Sequence, residues 1–258
     1  MSSSPRVTPS EKRRRAEDAR VIGDVLRRAI DAGETTGQLD ERELVGEFGA
    51  SRNAVRDALA NLRAEGLIER TPRAGTHVVN RKAPHGLDAL RGLKETLSGH
   101  GQVRNEVRVA TLVRAPGAVA RRLRLADGAE VVYIERLRLL DDEPVSLDLT
   151  YLVADLGIPI LGHDLENTDV FALLEEVSGK RLHSADHTVN AAALDPHSAA
   201  TLEVAAGSPA LLVERLTSLG PEARPVDLEY IRLRGDRISL HATATRDQPV
   251  AQTPGDHR

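Results

Sequence analysis

A chain of 258 residues, 40% of them hydrophobic, is long enough for two small domains and apolar enough to bury a core in each. With only 2% aromatics that core must rest on Leu, Val, Ile and Ala. The absence of cysteine excludes disulfides and thiolate metal sites and suits a reducing cytoplasm. No apolar run approaches membrane-spanning length and no secretory leader stands at the start, so no membrane partner is expected. The net charge of −4 conceals a split: residues 1–82 hold 16 Lys and Arg against 13 Asp and Glu, the remainder 19 against 26. A basic front and an acidic back suggest two separate tasks.

The first 15 residues, "MSSSPRVTPSEKRRR", read as a disordered arm with a basic run. From Ala16 the pattern becomes helical. Ile22, Val25, Leu26, Ala29 and Ile30 form an apolar stripe that Gly33 ends. A second helix starts at Asp40, which has capping-box spacing to Glu43, and buries Leu44, Val45 and Phe48. Gly49-Ala50 then turns the chain into Ser51, the cap of a third helix packed through Val55, Ala58, Leu59 and Leu62. Arg52, Asn53 and Arg56 project away from that stripe near the helix N-terminus. Gly66 ends the helix, and two short β-runs, Leu67–Arg70 and Thr76–Val79, flank a Pro-Arg-Ala-Gly turn. Three helices followed by a hairpin predict a winged helix-turn-helix over residues 16–80.

Residues 81–100 lack a sustained period and read as a linker, with room for a short helical turn. Beyond them the period changes to two. "EVRVATLVR", "EVVYIERLRLL", "PVSLDLTYL", "PALLVERLTSL" and "VDLEYIRLRGDRISLHATAT" read as strands, interrupted by helices at 117–125, 169–178 and 196–206. Antiparallel hairpins with inserted helices predict an α+β domain over 101–246, followed by a tail at 247–258.

The paired Arg52 and Arg56 at the start of the third helix suit a major groove, where Arg meets guanine and Asn meets adenine, and the helix N-terminus favours a phosphate. The alternative is that they are solvated or pair with Asp57 or Glu47. In the back half Arg136 and Arg138, two apart on one strand, share a face with Val132 and Ile134 and together suit a carboxylate or phosphate. There too a plainer alternative exists, a solvated face paired with Asp141, Asp142 or Glu229. His183 and His187 are four apart in "RLHSADHTVNAA", a strand rather than a helix, so no metal site is expected, and no cofactor motif stands out.

Residues 16–80 resemble the winged-helix domain of the GntR family of bacterial transcription regulators, through "DEREL" (40–44), "SRNAVRDAL" (51–59), "LRAEGLI" (62–68) and "RAGTHV" (73–78). Gln38-Leu39-Asp40 replaces the Leu-Pro-Ser frequent in that family, and Ala54 replaces a frequent Thr. Residues 101–246 resemble the UTRA effector domain of the HutC subfamily, whose fold is like that of chorismate lyase. Here the carrying stretches are "VYIERLRLLDDEPVSLDLTYL", "VFALLEEVSGKRL", "GSPALLVERLT" and "RPVDLEYIRLRGDR". The resemblance implies a homodimeric repressor on palindromic double-stranded operator DNA, released by a small effector. It implies DNA contacts at Arg42, Ser51, Arg52, Asn53, Arg56, Arg73, Gly75 and Thr76, with Arg73 and Gly75 in the wing. It implies effector contacts at Arg136, Arg138, Asp148, Glu229 and Tyr230, and the arginines make that effector an anion. The rival expectation is an enzyme of chorismate-lyase-like fold acting on a small carboxylate; against it, no general acid or base stands beside the arginines.

Overall fold

The computed structural model describes residues 9–72, 74–79 and 82–245. The front unit consists of α1 (Pro9–Asp31), β1 (Gln38–Leu39), α2 (Glu41–Phe48), α3 (Arg52–Ala64), β2 (Ile68–Thr71) and β3 (Gly75–Val78), with the strands in order β1-β3-β2. Ile22, Leu26, Ile30, Leu44, Val55, Ala58, Leu59, Leu62 and Ile68 form its core. The arm expected over residues 1–15 is helical from Pro9. Proline is tolerated in a first turn, Glu11 follows it there, and Arg13 pairs with Glu17 one turn on. Residues 1–8 lie outside the described chain. Val25, expected in the stripe, is 48% exposed. At 100° per residue it falls about 120° from the direction shared by Ala19, Leu26 and Ile30.

The back unit is built on a six-stranded antiparallel sheet, β5 (Val103–Arg114), β6 (Glu130–Leu140), β7 (Glu143–Val153), β10 (Arg224–Arg234), β9 (Pro209–Leu219) and β8 (Leu182–Ala193), in that spatial order. Asp141 and Asp142, both at positive φ, close the β6–β7 hairpin, as a two-residue turn of primed type requires. On one face lie α6 (Ala154–Ile160) and α7 (Val170–Ser178), packed on each other, with Val132 and Leu152 beneath α6. α5 (Gly117–Arg122) and α8 (Pro196–Thr201) complete the helices. Asp195 caps α8 by accepting from the N–H groups of His197 and Ser198 at 3.0 and 2.9 Å.

Residues 81–100 are no free linker. β4 (Ala83–Gly86) pairs in parallel with β11 (Ile238–His241), and α4 (Leu93–Leu97) buries Leu93 and Leu97 against Val213, Ile231 and Leu233 of the sheet. The segment lacks visible period because β4 and α4 are too short to show one. α6 was not expected either, because Gly157 and Pro159 interrupt its pattern. The tail at 247–258 lies outside the described residues.

Gly157 sets how closely α6 approaches the sheet. A Cβ there would stand 2.7 Å from Cβ of Val132 and 3.0 Å from that of Leu152, both fully buried. Gly157→Ala is therefore expected to cost about 1–3 kcal/mol through overpacking, read as a lowered midpoint in guanidinium chloride unfolding. An unchanged midpoint would show that α6 shifts freely.

Candidate functional site

At the front, Ser51 caps α3 by accepting the Ala54 N–H at 3.2 Å, which fixes the start of the helix. Arg52, Asn53 and Arg56 are exposed, as is Arg42 on α2. The plainer reading had Arg52 and Arg56 solvated or paired with Asp57 or Glu47; of these partners, Asp57 is occupied. Arg15 of α1 reaches it with two hydrogen bonds, Nε to Oδ2 and Nη2 to Oδ1, each 2.6 Å. Among the described residues Arg42, Arg52 and Arg56 have no ion-pair partner. Arg63 and Arg70 join Asn53 and Arg56 around a groove of about 340 Å³ beside α3. Sequence reading passed over Arg63, although its spacing of seven from Arg56 was a visible signal.

In the wing, Gly75 has φ +93°, and a Cβ there would come within 2.6 Å of Nε2 of Gln38. The positive φ favours glycine, whereas the end of the Gln38 side chain can move aside. Thr76 departs from expectation. It is 5% exposed, paired in register with Leu39 and Arg70, so its side chain faces inward and not toward a ligand. Strand alternation dictates this, since its neighbour across β1 is the buried Leu39. Arg73 lies outside the described residues.

In the back unit the strand register settles which side chains meet. Arg136 stands opposite Asp148, Arg138 opposite Ser146, Thr150 opposite Glu229, Glu229 opposite Arg215, and Asp227 opposite Thr217. All lie on one face of the sheet, and all are buried. Arg138 donates to Asp148 at 3.1 Å and to Asp169, from the loop before α7, at 3.4 Å. Arg215 donates from Nε to Glu229 at 2.6 Å and lies over the Phe171 ring at 4.4 Å, while Thr150 donates to the other Glu229 oxygen at 3.1 Å. Arg136 reaches only the carbonyls of Leu165 and Thr168, at 3.5 and 3.4 Å, and the Nε groups of both Arg136 and Arg138 have no hydrogen-bond partner.

The solvated-face alternative therefore fails for these arginines. Asp141 accepts from the N–H of Gln102, Asp142 pairs with Arg104, and Glu229 belongs to Arg215. Arg136 and Asp148 share this buried face, and Glu229 lies on it already bound to Arg215. Tyr230 does not belong there. Alternation puts it on the opposite face from Glu229, with its ring 6.3 Å from Tyr151, which in turn lies 5.0 Å from Tyr133. Asn105, Arg215, Thr217 and Asp227 were missed. The signal for the last three was two polar residues two apart on each strand, Arg215 with Thr217 on β9 and Asp227 with Glu229 on β10.

Burial holds the Arg136 guanidinium below its ordinary range, and nearby Arg138 adds to this. Burial opposes ionisation of Asp148, yet Arg138 and Arg136 together keep it below the usual carboxylate range. Asp227 is pushed well above that range, by burial and then by Glu229. His85 of β4 borders a small apolar pocket with His187 and Arg215, and its Nδ1 lies 2.8 Å from the Thr96 hydroxyl. Burial lowers it to about 4, with Arg215, His187 and Arg138 contributing. Among the described residues no cluster of His, Asp and Glu is arranged to hold a metal ion, and no helix is long and apolar enough to cross a membrane.

A winged helix joined to a domain with a buried, arginine-lined polar face defines a ligand-responsive DNA-binding protein. Known families agree with both halves. Residues 19–78 match the family described as bacterial regulatory proteins, gntR family, and residues 98–239 match the UTRA domain. The HTH-type transcriptional regulator Rv0792c of Mycobacterium tuberculosis is 30% identical over 213 residues, 81% of this chain and 78% of that one. The histidine utilization repressor of Pseudomonas putida is 28% identical over 202 residues, 78% and 79% of the two chains. The crystal structure of PhnF from Mycobacterium smegmatis superposes with a TM-score of 0.64 at 25% identity, over 88% of this chain and 100% of that one. The chain belongs to the GntR family of transcription regulators, with a UTRA effector domain. The rival reading as an enzyme falls, because the relatives and both matched domains are those of regulators.

The buried imidazole gives the domain a pH dependence of defined sign. An unfolded His binds its proton near 6.5 and His85 in the fold only near 4, so acid favours the unfolded chain. This contribution is complete above pH 6.5 and is lost as the pH falls toward 4, amounting to roughly 3 kcal/mol at about 1.4 kcal/mol per pKa unit. Urea unfolding of wild type and His85→Gln across pH 4–7 should show a shallower acid limb in the variant. Parallel limbs would mean that His85 does not resist protonation.

Proposed function

We propose that the chain is a cytoplasmic, dimeric repressor that binds a palindromic operator and is released from it by a small anionic effector. The observation that carries this reading is the pair of buried guanidiniums, Arg136 and Arg138, whose Nε groups stand unpaired on the covered face of the effector domain. A buried donor without a partner costs free energy, and a carboxylate or phosphate would relieve both at once. Asp148, opposite Arg136 in register, orients Arg138 through their hydrogen bond.

At the other end, Arg52, Asn53 and Arg56 enter the major groove from the capped start of α3, with Arg42 and the wing, including Arg73 and Gly75, on the phosphates. Two identical units related by a two-fold axis fit two half-sites about one helical turn apart. The effector favours a dimer geometry in which the two α3 helices miss that spacing. Repression follows the name of the histidine utilization relative.

Arg52→Ala should weaken specific operator binding by about 1–3 kcal/mol, the worth of a bidentate guanine contact, without lowering the melting temperature, because Arg52 lies outside the packed stripe. Operator titration beside thermal unfolding tests this, and unchanged specific binding would remove Arg52 from the interface.

Arg136→Ala should leave DNA binding intact and abolish release. A buried anion deprived of its guanidinium loses on the order of 2–5 kcal/mol. Titrating small carboxylates and phosphates against the operator complex of wild type and variant reads the difference. Release by a neutral compound, or an equal response from the variant, would place the effector elsewhere.

A further inference from the structure

The covered face carries more than an anion clamp. Three guanidiniums, of Arg136, Arg138 and Arg215, share it with four carboxylates, of Asp148, Asp169, Asp227 and Glu229. Three of those carboxylates are paired with arginines. The fourth, Asp227, is fully buried with neither oxygen in a hydrogen bond. Thr217 lies opposite it across the β9–β10 pair, its hydroxyl near enough to act on the Asp227 carboxylate but not aligned with it. Asn105, opposite Arg138 at the other side of the face, donates its amide N–H to the Glu166 carbonyl at 2.9 Å and leaves its own oxygen bare. Buried polar atoms are almost always paired, so a run of unpaired acceptors on one face calls for a donor.

Charge balance points the same way. With Asp227 ionised, three cations face four carboxylates, one negative charge in excess. A ligand that brought only a negative group to Arg136 would deepen that excess inside the domain, which is costly. A ligand that also carries a positive nitrogen adds no net charge, and its N–H groups can satisfy Asp227.

Resting on the anion-clamp reading above, we propose that the effector is amphoteric: an acidic group lies on Arg136 and Arg138, and an amine or protonated ring nitrogen is held by Asp227. Asp227 is thus a second binding residue, selecting nitrogen-bearing anions over nitrogen-free ones of the same length. Thr217 accepts a further N–H or holds the Asp227 carboxylate in place.

The test uses the full chain and matched pairs of probes: 4-aminobutyrate with butyrate, phosphoethanolamine with ethyl phosphate, and β-alanine with propionate. Dissociation constants come from calorimetric titration. In wild type at least one nitrogen-richer member is expected to bind tenfold or more tightly than its counterpart. Asp227→Asn should collapse that ratio to near one while leaving the nitrogen-poorer member unchanged. Arg136→Ala should weaken both members of the pair. Equal binding within every pair, a preference that survives in Asp227→Asn, or no binding by any of the six overturns the proposal. A preference that Asp227→Asn abolishes while Arg136→Ala leaves both members unaffected would uphold the amine site and refute the clamp. If thermal unfolding shows Asp227→Asn to be misfolded, Asp227→Ser takes its place in the same titrations.

Discussion

Burying arginine is the constraint around which the effector domain is arranged. A guanidinium cannot be neutralised within the physiological range, so each one placed inside must meet carboxylates or carbonyls there. Arg138 takes Asp148 from the neighbouring strand and Asp169 from the loop above. Arg215 takes Glu229 and the face of Phe171. Those partners come from β7, β10 and the entry to α7, so the ion pairs fix the strand register and the position of α7 together. Breaking such a pair from one side leaves a bare buried charge at about 3–5 kcal/mol, far more than the intact pair contributes. The arrangement is therefore a better guarantee of register than of stability. Arg136, left with only two distant carbonyls, is the member the fold does not satisfy by itself.

The front unit was legible because its signals are local. Caps at Asp40 and Ser51, apolar stripes at helical spacing and the glycines that stop the helices each act within a few residues, and the structure repeats them almost position by position. The stretch from Pro9 to Arg15 differs from expectation because a basic run looks the same in a helix as in a tail, and the Arg15 partner, Asp57, stands 42 residues later.

The effector face was legible only in part, for a physical reason. An alternating strand with charges at every second position normally turns those charges to water. Here the same alternation is reversed in its consequences. Asp227 and Glu229 face the interior, while Tyr230 is half-buried on the other side. No local pattern distinguishes the two cases, because the covering elements, α4, α7 and the paired β4 and β11, come from three separate stretches of chain. Arg136, Arg138 and Asp148 were found through family resemblance and strand parity. Arg215 and Asp227 needed the register of β9 on β10.

The parallel pairing of β4 with β11 has a bearing on how hybrid regulators of this type are assembled. A fusion that joins a foreign DNA-reading module at residue 101, where alternation first becomes obvious, discards the strand on which residues 238–241 lie and strips Leu93 and Leu97 from the hydrophobic cluster that shelters the arginines. The graft would retain every strand of the large sheet and still be left open over its charged face. A transplantable effector module begins no later than Ala83, since the last strand is completed by the first.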